Sequence, residues 1–145
     1  PFAMYHVDPD HKEREFLTLD ELTAMTEIKL EDPNMAFARD LFVFGCWTGI
    51  SFIDTKNLTE DKISMINGAP WIVSKRQKTG VPFQVKLMDI PMRIVERYKL
   101  LRKDCHLFNI GRLDTINKRI KKVAAMCGIK KRISYHVSSH NKIFY

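Results

Sequence analysis

Cysteine is scarce in this chain and carries no pattern. Cys46, Cys105 and Cys127 are odd in number and irregularly spaced, and no C-x-x-C pair occurs. That points away from a disulfide framework and removes the usual sequence sign of a zinc site. A reducing, cytoplasmic setting is the simplest reading. Long apolar runs are missing as well. No stretch of 18 apolar residues exists, so no segment reads as a membrane-spanning helix. The start, PFAMYHVDPDHKERE, has no apolar run behind a basic end and does not read as a signal peptide. Internal repeats and low-complexity segments are absent. A chain that starts at proline reads as a piece of something longer.

What is present suits one ordered domain. At 145 residues, 45% hydrophobic and 28% charged, the chain can bury a real core. Its charge is polarised along the sequence. Residues 1–35 carry three basic and nine acidic groups, net −6, whereas residues 71–145 carry 18 basic and four acidic groups, net +14. A half that basic suits a polyanion, with counterion release supplying much of the affinity. A solvated basic surface without a partner is the alternative.

The pattern predicts a mainly α-helical α+β fold with a small three-stranded antiparallel sheet. Residues 1–16 read as an extended lead-in, and residues 17–145 as the domain. Thr18-Leu19-Asp20-Glu21 fits a capping box, so a helix is expected to about residue 29. Asp32-Pro33-Asn34 breaks it. A second helix over residues 35–48 is apolar on all sides late in its course, which marks a buried central helix ending at Gly49. Ser51 is placed to cap a short third helix to about residue 56.

Strands are expected at residues 63–66, 71–74 and 83–87, with Asn67-Gly68 and Gly80 as turns. Pro91 opens a helix to about residue 101. The last expected helix, residues 114–127, puts Ile116, Ile120, Val123, Ala124 and Cys127 on one stripe. Lys118, Lys121 and Lys122 face away from it, and Lys130-Lys131-Arg132 forms a basic knot beyond.

Three segments carry chemistry. They are Thr48-Gly49-Ile50-Ser51-Phe52-Ile53-Asp54, then Lys75-Arg76-Gln77-Lys78-Thr79-Gly80, then His136-Val137-Ser138-Ser139-His140. Singly, each has an ordinary reading: a helix end, solvated hairpin charges, structural histidines. In this order, with a sheet and a basic helix between them, they resemble the catalytic domain of tyrosine recombinases, the phage-integrase family. The likeness runs from about Phe16 to His140 and is nearest to Bacteroides-type mobile-element integrases.

The resemblance implies DNA strand cleavage and rejoining through a 3′-phosphotyrosyl link, without metal, nucleotide or organic cofactor. Charge building on the phosphate oxygens is normally stabilised by two arginines. Here Ser51 follows Thr48-Gly49-Ile50 at the first arginine position, where Bacteroides-type relatives also carry serine. It serves as a helix cap or as a phosphate contact. Asp54 matches the acidic position that supports neighbouring site groups. Lys78 aligns with the sheet lysine that protonates the departing oxygen, with Lys75 and Arg76 as backbone-phosphate contacts. His136 and His140 match both histidines of the H-x-x-R-H motif, and Ser139 replaces its arginine. Serine cannot supply that charge.

Lys118, Lys121, Lys122, Lys130, Lys131 and Arg132 are the expected further DNA contacts. The partner implied is double-stranded DNA in a bacterial cytoplasm, at the nucleoid. The family acts as tetramers on DNA, and this piece alone is expected to be monomeric. Tyr145 lies five residues past His140, too early for the family nucleophile, so none is expected in this chain. The full reading is therefore site-specific recombination or integration by a C-terminally incomplete, inactive catalytic domain. A non-catalytic DNA-binding remnant of the same family is the runner-up, and an unrelated basic helical domain that contacts a protein is the third reading.

Overall fold

In the computed structural model, residues 16–140 are described. The expected lead-in lies outside them except for Phe16, and so do residues 141–145. Helices α1 (Leu19–Glu27), α2 (Pro33–Thr48) and α3 (Phe52–Lys56) come first. A hairpin sheet follows, with β1 (Ile63–Ile66), β2 (Ala69–Lys75) and β3 (Pro82–Lys86). Helices α4 (Asp89–Arg97), α5 (Leu113–Met126) and α6 (Tyr135–His140) complete the order. This is the expected mainly helical fold with a three-stranded antiparallel sheet.

The capping box forms as the sequence predicts. Thr18 Oγ1 accepts from the Glu21 amide at 3.1 Å, and Glu21 Oε1 accepts from the Thr18 amide at 2.9 Å. The second helix begins earlier than expected, at Pro33 rather than residue 35. Asp32 caps it through the Asn34 amide at 2.9 Å, and proline fits a first turn because its missing N–H has no partner there. Helix α1 has already ended at Glu27, two residues short of the expected 29, so Asp32-Pro33 starts the next helix rather than breaking this one.

Helix α2 is the central element, and α1, α4, α5 and α6 all pack on it. Ala38, Leu41, Phe42, Phe44 and Cys46 have no solvent exposure. Burial also pushes the Cys46 thiol far above its ordinary range. Two charged residues lie in the same helix. Buried Arg39 donates to Asp40 Oδ1 at 2.7 Å and to the carbonyls of Met25, Thr26 and Ile28, closing the C-terminal end of α1. Asp40 Oδ2 also accepts from Arg97 at 2.8 Å and from the Tyr98 hydroxyl, so one carboxylate braces α1, α2 and α4. Burial first, then that carboxylate, raises the Tyr98 phenol above its usual range.

The β1–β2 turn is made by Asn67 and Gly68, at φ 50° and 79°, the left-handed pair that a tight hairpin needs. Ile72 is fully buried and pairs with Ile63 and Val85, which sets the inner face of the sheet. Two boundaries of α4 differ from expectation. It begins two residues before Pro91 and ends at Arg97, not residue 101. A single 3-10 turn, Lys99–Leu101, follows, with Leu100 94% exposed. Helix α5 buries Ile116, Ile120, Val123 and Ala124, as its stripe predicts. It closes with Gly128 at φ 75°, the Gly128 and Ile129 amides donating to Ala125 and Ala124 carbonyls at 3.0 and 2.9 Å.

Helix α6 docks on α2 at Gly45. A β-carbon there meets Ser138 Oγ at 2.2 Å, and Ser138 Cβ and Tyr135 Cζ at 3.0 Å. No larger residue fits unless α6 moves. Alanine is the better helix former by about 1 kcal/mol, but overpacking costs typically 1–3 kcal/mol. The contact with a ring and a β-carbon lets the second effect win. Gly45→Ala is expected to lower stability by about 1–2 kcal/mol in denaturant unfolding. Adding Ser138→Ala, which removes the nearest atom, is expected to recover part of that loss.

Candidate nucleic-acid interface

The first segment is shaped by the end of α2. Gly49 turns left-handed at φ 71°, and Thr48 Oγ1 donates back to the Phe44 carbonyl at 2.8 Å. The chain thereby reverses into Ser51, which caps α3. Ser51 Oγ accepts from the Asp54 amide at 3.3 Å and donates to Asp54 Oδ2 at 2.9 Å. The cap is thus present, and the hydroxyl is held by its own helix.

Asp54 carries the link to the second segment. Its Oδ1 accepts from the Gln77 amide at 2.8 Å, across 23 residues. Inside that loop, the Arg76 amide donates to the Val81 carbonyl and the Gly80 amide to the Arg76 carbonyl, with Gly80 at φ 74°. The carboxylate therefore fixes the β2–β3 loop against α3. Lys78 follows Gln77 directly, and Lys75, Arg76 and Lys78 are all exposed. The Arg76 guanidinium lies 5.8 Å from the Phe83 ring centre. A hollow of about 110 Å³ sits beside the link, with Thr48, Gly49, Asp54, Arg76 and Phe83 in its wall.

Tyr135 joins the third segment to the first. Its ring is fully buried, edge-on to Phe52 at 5.5 Å. Its hydroxyl lies 2.9 Å from Thr55 Oγ1 and donates to the Ile50 carbonyl at 3.2 Å. Burial raises this phenol well above its ordinary range, which keeps it a neutral donor. Asn117 of α5 accepts from the Tyr135 amide at 2.8 Å and so satisfies the start of α6. Behind this anchor, His136 and His140 are one helical turn apart on the outer side of α6, their ring centres 4.4 Å apart and edge-on. Ser139 Oγ donates to the His136 carbonyl at 3.0 Å.

The two links join all three segments into one contiguous unit. Further basic residues lie on α5, which packs against α6, and just beyond it. Lys118, Lys121 and Lys122 are exposed on the outer face of α5, and Lys130 and Arg132 are exposed beyond it. Lys121, Lys131 and Arg132 also line a hollow of about 470 Å³ with an apolar floor of Ala124, Ile129 and Ile133. Lys131 is engaged differently from its neighbours. Its ammonium donates to Glu21 at 2.8 Å and to the Phe16 carbonyl at 2.9 Å, tying α1 to this corner. The Lys131 hydrogen bond, first, holds the Glu21 carboxyl below its ordinary value.

Solved structures of the same shape exist. The crystal structure of XerH site-specific recombinase bound to a palindromic difH substrate, in a post-cleavage complex, superposes with a TM-score of 0.72 over 90% of this chain. The chain carries the fold of a tyrosine-recombinase catalytic domain. XerH in a pre-cleavage complex with difH gives 0.69 over 86%, and XerA recombinase gives 0.64 over 95%. Each shares 18% of its residues with this chain. The chain spans 41%, 40% and 52% of those three chains. No protein-family profile and no curated protein matches the sequence.

Sequence reasoning named Asp54 but not its partner, because a backbone amide 23 residues away leaves no mark in composition. It also passed over Tyr135 and Gly45. Gly45 was the visible signal, a glycine inside an otherwise apolar helix, which marks a close approach. Asp54→Ala removes the acceptor of a part-buried amide, which costs about 1–3 kcal/mol. The expected result is faster hydrogen exchange at the Gln77 and Gly80 amides, read by NMR, with α5 amides unchanged.

Proposed function

We propose that this chain is the DNA-binding face and partial catalytic domain of a site-specific recombinase of the tyrosine class, of the mobile-element integrase kind. Its partner is double-stranded DNA, its setting the bacterial cytoplasm at the nucleoid, and without DNA it is a monomer. No cofactor takes part. The observation that carries this reading is the coupling of the Ser51–Asp54 turn, the Lys75–Gly80 loop and α6 through Asp54 and Tyr135, on a recombinase fold with basic residues on α5 and just beyond it.

Within that reading the residues divide by charge. Lys78 is the proton donor to a departing oxygen, and His136 and His140 donate to phosphate. Lys75, Arg76, Lys118, Lys121, Lys122, Lys130 and Arg132 hold the duplex backbone, and Lys131 adds to their field. Ser51 and Ser139 supply no fixed positive charge. Their hydroxyls are held by Asp54 and by the His136 carbonyl. This favours the second form of the reading, a domain that binds DNA and does not cleave it by itself. Losing one transition-state donor alone costs on the order of 10²–10³ in rate, and two arginine positions are vacated here.

Fluorescence anisotropy with a labelled duplex tests the binding. Affinity is expected to fall linearly with salt on logarithmic axes, and Lys121→Gln with Lys122→Gln to reduce the slope by about 2. No binding at low salt would overturn the reading. A nicked suicide duplex tests the second form. No covalent protein–DNA adduct is expected, and a stable adduct would show that the chain cleaves.

A further inference from the structure

We propose that Asp104, Cys105 and His106 bind one divalent cation of the zinc class, using residues other than those assigned to DNA. The three lie on the connection between α4 and α5. Their ligand atoms, a carboxylate oxygen, a thiol sulfur and an imidazole nitrogen, all stand within 4.8 Å of one another. Around a tetrahedral zinc with bonds of about 2.0–2.3 Å, neighbouring ligand atoms are roughly 3.3–3.8 Å apart. Asp104 Oδ1 and His106 Nδ1 are already at 2.9 Å. Cys105 is exposed, so a side-chain rotation of its thiol closes the remaining gap of at most about 1.5 Å.

The backbone under these residues is held. The Cys105 carbonyl accepts from the Glu60 amide at 2.9 Å, and His106 pairs as an antiparallel bridge with Thr59. The Leu107 amide donates to the Leu58 carbonyl at 3.0 Å, and Leu107 and Phe108 are buried. The His106 amide donates to Asp104 Oδ1 at 2.9 Å, which folds the three residues into a turn. The ordering that a metal would otherwise impose is therefore largely in place before it arrives.

The donor set selects the ion. One sulfur, one nitrogen and one oxygen suit a borderline-soft cation such as zinc. Calcium and magnesium need more oxygen ligands than this turn offers. Three protein ligands leave a fourth position for water. On binding, the cation replaces the hydrogen bond between Asp104 Oδ1 and His106 Nδ1, and any hydrogen on Nδ1 passes to solvent while Nε2 takes one up. The neutral imidazole then carries its hydrogen on Nε2, and the Cys105 thiol releases one proton to solvent. The bound ion closes the Asp104–His106 turn on itself, within the α4–α5 connection.

Cobalt titration of the full chain under reducing conditions tests this, with the thiolate-to-cobalt absorption as readout. One equivalent of cobalt is expected to produce the band, and zinc to erase it. Cys105→Ser is expected to abolish the band. His106→Ala and Asp104→Asn are each expected to weaken binding at least about tenfold. His136→Ala with His140→Ala is expected to leave it unchanged. No band in the parent chain, or a band that survives Cys105→Ser, would overturn the proposal. Either outcome leaves the anisotropy measurement of DNA binding untouched.

Discussion

The contact on which the site depends is the approach of α6 to α2 at Gly45. A hydrogen in place of a side chain lets Ser138 and the Tyr135 ring reach the α2 backbone. That depth brings the Tyr135 hydroxyl to Thr55 and to the Ile50 carbonyl. The histidines of α6 are therefore positioned by a buried ring on the opposite side of the same short helix. Six residues make a helix too short to hold its shape alone. Packing of Tyr135 and Ser138, with Asn117 on its first amide, supplies what length does not.

Charge enters on the other side of that frame. Asp54 is the carboxylate that organises the site, with one oxygen to Ser51 and one to the Gln77 amide. A loop rich in lysine and arginine is thereby latched by a buried acid. The cost of burying such an acid is offset by its hydrogen bonds. The basic side chains of α5 stay in water, where each contributes mainly to a long-range field that salt screens. Phosphate binding by such a surface is strong in sum and weak in geometry, and bidentate guanidinium contacts at Ser51 and Ser139 are missing. On the proposed reading, that asymmetry is what would separate holding DNA from cleaving it.

Much of the fold was legible because its determinants are local. The Thr18–Glu21 box, the Asn67-Gly68 turn, the stripe of α5 and the unbroken apolarity of α2 are all written within one or two turns of chain. The misplaced boundaries have local causes with distant arbiters. Pro33 opens α2 because Asp32 caps it. Helix α4 stops at Arg97 because Tyr98 is held by Asp40, 58 residues away. The candidate site was legible as residue types and order, through the resemblance. Its links were not, since Asp54–Gln77, Thr55–Tyr135 and Lys131–Glu21 join side chains across 23, 80 and 110 residues. No periodicity records such pairs.

Hydrogen exchange of the chain with and without a saturating duplex tests the central claim most directly. The account predicts slowed exchange at three places together: the 76–81 loop, the exposed face of α5 and α6. Slowing confined to α1 and α4, or none at all under binding conditions, would contradict it.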